Sequence, residues 1–338
     1  MELPKVIASS VIRSAQQGES HGGVYLVDLE SEKVEQILDW DRIDIQWEGR
    51  GKDRGLRGIS FFENRIYLAA SDELFVFDRN WAIVESYKNP YLKHCHEIDR
   101  RGSILFLTST SYDSILEFDL EEERFLRGYY FRFDPIQRKL NKFCSNLDRL
   151  ASKIDLEYYG QKILPRPLPF VEEFDPEKGN GPENGLDLHI NNVQADKSGS
   201  GFWVSGTRSG HLIYYDGRKS VSHARIPYVT HNAGPFKSGV IANNTNRDEV
   251  IYLSNSEIRK FPVQYYPEDD LENSDLPRDH ARQAFGRGLT ITEDDLLIGG
   301  SSPATITVYD FNSGELIKSV NITMDVRNSI HGLEIWPY

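Results

Sequence analysis

One phrase, written again and again along the chain, limits what it can fold into. An X-Gly-apolar opening leads a short strand. A second strand ends in small or polar residues, a third ends in aromatic-Asp, and a fourth follows. The phrase is clearest at Arg57-Gly58-Ile59, Ile66-Tyr67-Leu68-Ala69-Ala70-Ser71 and Leu74-Phe75-Val76-Phe77-Asp78. It returns at His96-Glu97-Ile98, at Asn191-Asn192-Val193, more loosely at His231-Asn232-Ala233, and at Arg287-Gly288-Leu289. Each copy takes about 40 residues and four strands, the pattern of a propeller blade rather than of a sandwich.

The two ends supply a sixth copy. The chain starts in mid-phrase: Val6-Ile7-Ala8-Ser9-Ser10 reads as a second strand, Val24-Tyr25-Leu26-Val27-Asp28 as a third and Val34-Glu35-Gln36-Ile37-Leu38 as a fourth. The missing first strand is Ile330-His331-Gly332-Leu333-Glu334-Ile335-Trp336. The expected fold is therefore all-β, a single six-bladed β-propeller over residues 1–338. Its ring is closed by the C-terminal strand joining the N-terminal blade, which hides two sheet edges.

Residues 133–187 break the phrase, between blades three and four. Apolar residues at Ile136, Leu140, Phe143, Leu147, Leu150 and Ile154 have the spacing of an amphipathic helix. A Pro- and Gly-rich arm follows, with Pro165, Pro167, Pro169, Pro176 and Pro182. The helix is read as packed on the rim, as a lid, or as a homodimer contact. A second polar loop, 266–280, reads as a solvated excursion.

Composition narrows the partners. Against 39 Lys and Arg stand 52 Asp and Glu, a net charge of −13. That excludes nucleic-acid binding, which needs clustered cations, and argues against an anionic membrane. The N-terminus has no long apolar run, so no signal peptide is expected. Two cysteines without a CxxC suit a reducing compartment, and a cytoplasmic location is expected.

In a propeller the first strand of each blade lines the central channel, and loops at its opening carry sites on a rigid frame. The opening residues here are Arg57, His96, Asn191, His231, Arg287 and His331. Two residues upstream, on the same side by strand alternation, lie Gly55, His94, His189, Val229, Phe285 and Ser329. Five of the nine histidines thus fall at strand openings. Neutral imidazoles facing one point suit a divalent metal such as Zn, Fe or Ca, and the expected ligands are His96, His189, His231 and His331. Asn191, Asn192 and Asn232, with Glu97 or Glu334, offer oxygen ligands for a harder ion. By alternation Glu97 and Glu334 turn towards neighbouring blades and read as structural. Cys95 reads as a buried, inert thiol. Arg57 and Arg287 are expected to grip a small anionic ligand, with Arg54 near the mouth and Glu97, Glu334 or Asp53 as rival partners. His94 is the candidate for moving a proton.

The blade phrase resembles the broad six-bladed group of NHL, gluconolactonase and strictosidine-synthase-like propellers. The resemblance covers nearly the whole chain outside 133–187 and implies the fold. The histidine openings are similar to those of the peptidyl-hydroxyglycine amidating lyase, which places zinc on channel histidines. The His and Arg openings together look like those of the bacterial arylsulfate sulfotransferase. The gluconolactonase Glu/Asn/Asp metal site matches less well.

Three functions follow as expectations. The first is a metal-dependent lyase or hydrolase acting on a small anion, with His94, Arg57 and Arg287 as catalytic residues. The second is a metal-free group transferase using histidine and arginine. The third is a non-catalytic binding propeller.

Overall fold

The repeats form six antiparallel sheets, and the chain is a six-bladed β-propeller. A computed structural model describes residues 2–16, 18–41, 55–152, 166–183, 185–277 and 281–338. Asp53, Arg54, Ile154 and Pro165, named above, lie outside the described residues.

The chain divides into two compact units. In the first, the N-terminal blade has the strand order Asn328–Ile335, Lys5–Ile12, Gly23–Asp28, Lys33–Asp39. The C-terminal strand supplies its innermost position, as expected, with Val6 opposite Ile335 and Ile12 opposite Asn328. Blade two (Ile59–Phe62 through Ile83–Lys88) lies mostly in this unit, and blade six (Gly288–Ile291 through Leu316–Asn321) wholly. Middle strands such as Leu296–Ser301 are buried on both faces and read as continuous apolar runs, whereas the outermost strand Leu316–Asn321 is largely open. Two cores result. One joins Val6, Ala8 and Ile330 to Ile298, Ile306 and Val308; the other joins Ile7 and Trp40 to Leu68, Phe75 and Phe77.

The second unit holds blades three and four and most of blade five. Blade three has five strands. Its fourth, Arg124–Arg132, pairs with Phe170–Phe174, so part of the arm read as a loop is an edge strand. Phe106, Phe131, Val193, Phe202 and Val204 share one core.

The Asp that ends the third strand in five of the six blades has a local cause. Its carboxylate accepts amide hydrogens from the turn into the fourth strand: Asp78 from Asn80 and Ala82, Asp119 from Glu121 and Glu122, Asp216 from Arg218 and Lys219. Such bonds favour the ionised form, and the carboxyls of Asp28, Asp216 and Asp310 lie below their ordinary range mainly for that reason.

The insertion begins with helix α1, Pro135–Ala151. Asp134 caps it, accepting from the amides of Ile136 and Gln137 at 2.8 Å, while the Gln137 side chain accepts from the Asp134 amide at 3.2 Å. Pro135 at the first helical position completes the start signal.

Candidate functional site

The second unit carries His94, His96, His189 and His231. Blade three's innermost strand begins at Ile98, two residues after the opening position His96, while that of blade four begins at Ile190, directly after His189. Residues just ahead of them are left-handed, with φ of 53° at His94, 54° at His189 and 63° at Val229. Alternation does not run through a residue in that conformation. At blade three the frame is Thr108. Its hydroxyl accepts from the amides of His96 (2.9 Å) and Glu97 (3.0 Å) and donates to the Glu97 carbonyl (3.1 Å). One donor and two lone pairs are all used, which fixes the His96 backbone. Cys95 is fully buried beside Thr108, as expected of an inert thiol.

His189 is fixed by a different device. Asp113 accepts from the amides on either side of it, Leu188 at 3.0 Å and Ile190 at 3.1 Å. Gly206 lets the chain pass: a Cβ there would lie 2.5 Å from the carbonyl oxygens of both Leu188 and His189. The His96 and His189 rings then meet edge to face, centroids 6.0 Å apart. His231 is buried, and its Nδ1 lies 3.1 Å from the Thr245 hydroxyl. That hydroxyl donates to the Val229 carbonyl, so it accepts from Nδ1–H and leaves Nε2 as the basic nitrogen. His94 is exposed, with Nδ1 3.3 Å from the Ser111 hydroxyl.

Of the residues offered as oxygen donors, Asn191 and Asn192 are held through their amide nitrogens, and Asn191 Oδ1 is buried with no hydrogen-bond partner among the described residues. Asn191 donates to the Thr230 carbonyl and Asn192 to that of Ala233. Glu97 does not simply turn to the next blade: its carboxylate accepts from Asn232, 3.1 Å away at the opening of blade five. β-Bulges cause part of this. One extra residue at 191 and another at 232 re-aim the openings of blades four and five. Among the described residues no three His, Cys, Asp or Glu side chains are grouped to hold a metal ion. Of the expected set, His96 and His189 adjoin, and His331 belongs to the other unit.

The first unit carries Arg57, Arg287 and His331. Arg57 and Arg287 hold matching places in blades two and six, their amides donating to the carbonyls of Ala69 (2.8 Å) and Gly300 (2.9 Å). His331 lies at a bulge of Asn328–Ile335 and is 2% exposed, as is Arg57. Arg287 Nη1 lies 2.5 Å from His331 Nε2. The same Nη1 lies 3.4 Å from Nδ1, and because a guanidinium only donates, the imidazole it meets is neutral. Gly332, next in sequence, permits the close approach of blades one and two. A Cβ there would lie 2.3 Å from the Arg57 carbonyl oxygen. Ser9 fastens the same corner, accepting from the Gly332 amide at 3.0 Å and donating to the Arg57 carbonyl.

Phe285 gathers further charge. The Arg287 guanidinium lies 4.4 Å from its ring centroid, that of Arg282 4.8 Å and that of Arg13 5.9 Å. Arg282 also pairs with Asp248. A neutral ring lets three cations approach where bare like charges would repel. Sequence reasoning named Phe285 and Arg287 but missed Arg13 and Arg282. Arg13 follows the second strand of its blade directly, the end at which sites were expected, and that position was its signal. Arg282 sits in a loop outside the repeat and had none.

No family model and no curated protein matches the chain. Solved structures that resemble it are propellers. A protein of unknown function from Bacteroides caccae is 11% identical, covers 98% of each chain and has a TM-score of 0.50. The WD40 propeller domain of Doa1 is 9% identical over 95% of this chain and 80% of that one, TM-score 0.47. Virginiamycin B lyase from Staphylococcus aureus is 10% identical over 80% and 71%, TM-score 0.44. At such identity the likeness concerns the fold. No match carries the narrower NHL, gluconolactonase and strictosidine-synthase-like grouping.

Proposed function

We propose that the chain binds a small anionic molecule at Arg287 and acts on it by proton transfer at His331. The observation that carries this reading is the bond from Arg287 Nη1 to the neutral His331 Nε2. An incoming carboxylate, sulfate or phosphate ester competes for the same guanidinium donors. Once Arg287 turns to the anion, Nε2 is released as a base beside it. It then accepts a proton from a carbon of the bound molecule, the C–H electron pair becomes a double bond as a neighbouring leaving group departs with its own bonding pair, and the imidazolium formed is held by the anion's charge. Arg13 raises the local positive potential on a protein of net charge −13, which draws the anion in, while the charge of Arg282 is offset by Asp248.

Lyase-type proton abstraction suits this arrangement better than the metal-dependent reading. For a metal, His96 and His189 supply two adjoining imidazoles with no third donor grouped beside them among the described residues. His94, expected to move the proton, is exposed and bonded to Ser111, which favours His331 for that role.

The test is calorimetric titration of small carboxylates, sulfate esters and phosphate esters, followed by product analysis with any that bind. Arg287→Ala is expected to lose at least tenfold in affinity. His331→Gln, which keeps an acceptor for Arg287, is expected to bind as before and to turn nothing over. Unchanged binding by Arg287→Ala would refute the anion site. Binding without turnover by the wild type would leave a binding propeller. Metal analysis of the purified protein, with activity restored by added metal, would instead support the histidine-metal reading.

A further inference from the structure

Helix α1 is mounted the wrong way round for a helix of a water-soluble domain. Its apolar stripe faces out: Ile136 is 79% exposed, Phe143 55%, Leu150 59% and Leu140 39%. The side that meets the propeller is polar. Arg166, itself buried, donates to Asn141 at 3.0 Å, to Ser145, to Asp148 and to the Arg208 carbonyl at 3.1 Å. That buried ionic network fixes which face looks inward. Phe170, on the edge strand opposite Arg132, adds a further ring that is 54% exposed.

The charge beside the stripe decides its occupant. Lys139, Lys142 and Arg149 are exposed and form no ion pair among the described residues. These cations lie along one border of the stripe, so two copies apposed stripe to stripe in antiparallel fashion would bring them together, which disfavours that homodimer. A helix with an apolar face, a cationic border and low overall hydropathy is suited to lying in the plane of a bilayer surface, with its cations at the headgroups. We infer that α1 docks the propeller on an anionic lipid surface. The expectation of no membrane contact rested on the net charge of the whole chain, whereas this helix carries charge of the opposite sign. No described helix is long and apolar enough to cross a membrane, so the contact is a surface one.

The test is flotation of the full chain with phosphatidylcholine vesicles, with and without phosphatidylserine, alongside light scattering for oligomeric state. The wild type is expected to float with the anionic vesicles and to be released by salt. Phe143→Ser with Leu150→Ser should reduce binding at least about tenfold. Both side chains are exposed, so the fold should persist, as circular dichroism will show. Lys139→Glu with Lys142→Glu should abolish the preference for phosphatidylserine while leaving the stripe intact. A wild type that stays in solution with both vesicles overturns the inference. So does a dimer that the Phe143→Ser, Leu150→Ser variant splits without any vesicle binding, which would make the stripe a self-association face.

Discussion

The carboxylate of Asp113 accepts the amide hydrogen of Ile190 from 77 residues away, at 3.1 Å. With its second bond, to Leu188, it brackets His189 and holds that ring beside His96. Burial pushes the Asp113 carboxyl up to about 7, against the opposing pull of those amides.

That shift has a direction in pH. In the unfolded chain Asp113 regains an ordinary value near 3.8. Between there and about 7 the native state holds more protons, so this group's contribution falls as pH rises through that window and changes no further above it. Asp113→Asn should flatten this part of the profile. Urea unfolding of both proteins at pH 5 and pH 8 measures it, and parallel profiles would contradict the assignment.

His211 acts in the opposite sense. It is buried with Nδ1 2.7 Å from the Ser222 hydroxyl, and burial lowers its pKa from 6.5 to about 3. Its contribution is present above 6.5 and is lost as pH falls towards 3, because the unfolded chain takes up the proton first. His211→Gln should make acid unfolding less steep over that range, read from the circular dichroism midpoint against pH.

Gly332→Ala should be destabilising by about 1–3 kcal/mol, the usual cost of overpacking a tight interior. The added methyl would meet the Arg57 carbonyl, and it would also crowd the Ser9 hydroxyl at 2.7 Å. Thermal unfolding reads the effect. An unchanged midpoint would mean that the first two blades have room to separate.

Arg166→Met should release α1. It removes the cation from a buried pair and strands Asp148, a loss of about 3–5 kcal/mol for such pairs. Hydrogen exchange along Pro135–Ala151 should quicken while that of blade three is unchanged. Equal protection in both proteins would show that Arg166 does not hold the helix.

The candidate site was only partly legible beforehand. The opening positions were found from the phrase, and Arg57, Arg287 and His331 do lie together in one unit. Which way each side chain looks was argued from alternation, and alternation fails where the chain leaves regular β geometry. Left-handed residues at His94, His189 and Val229 and extra residues at 191 and 232 do this. Neither feature has a reliable signature in residue type, because the surrounding contacts impose it.

What the sequence determined by itself was everything written in short-range order: six blades, the first four strands of each, the Asp that caps the turn in five of them, and a C-terminal strand completing the first blade. These rest on period-two apolar patterns and local hydrogen bonds, which neighbouring residues decide among themselves. The tertiary structure alone decided that Arg287 donates to His331, and that α1 turns its polar face inward. Both depend on groups far apart in the chain meeting where water is excluded. There one well-placed buried guanidinium outweighs the preference of a helix to hide its apolar side.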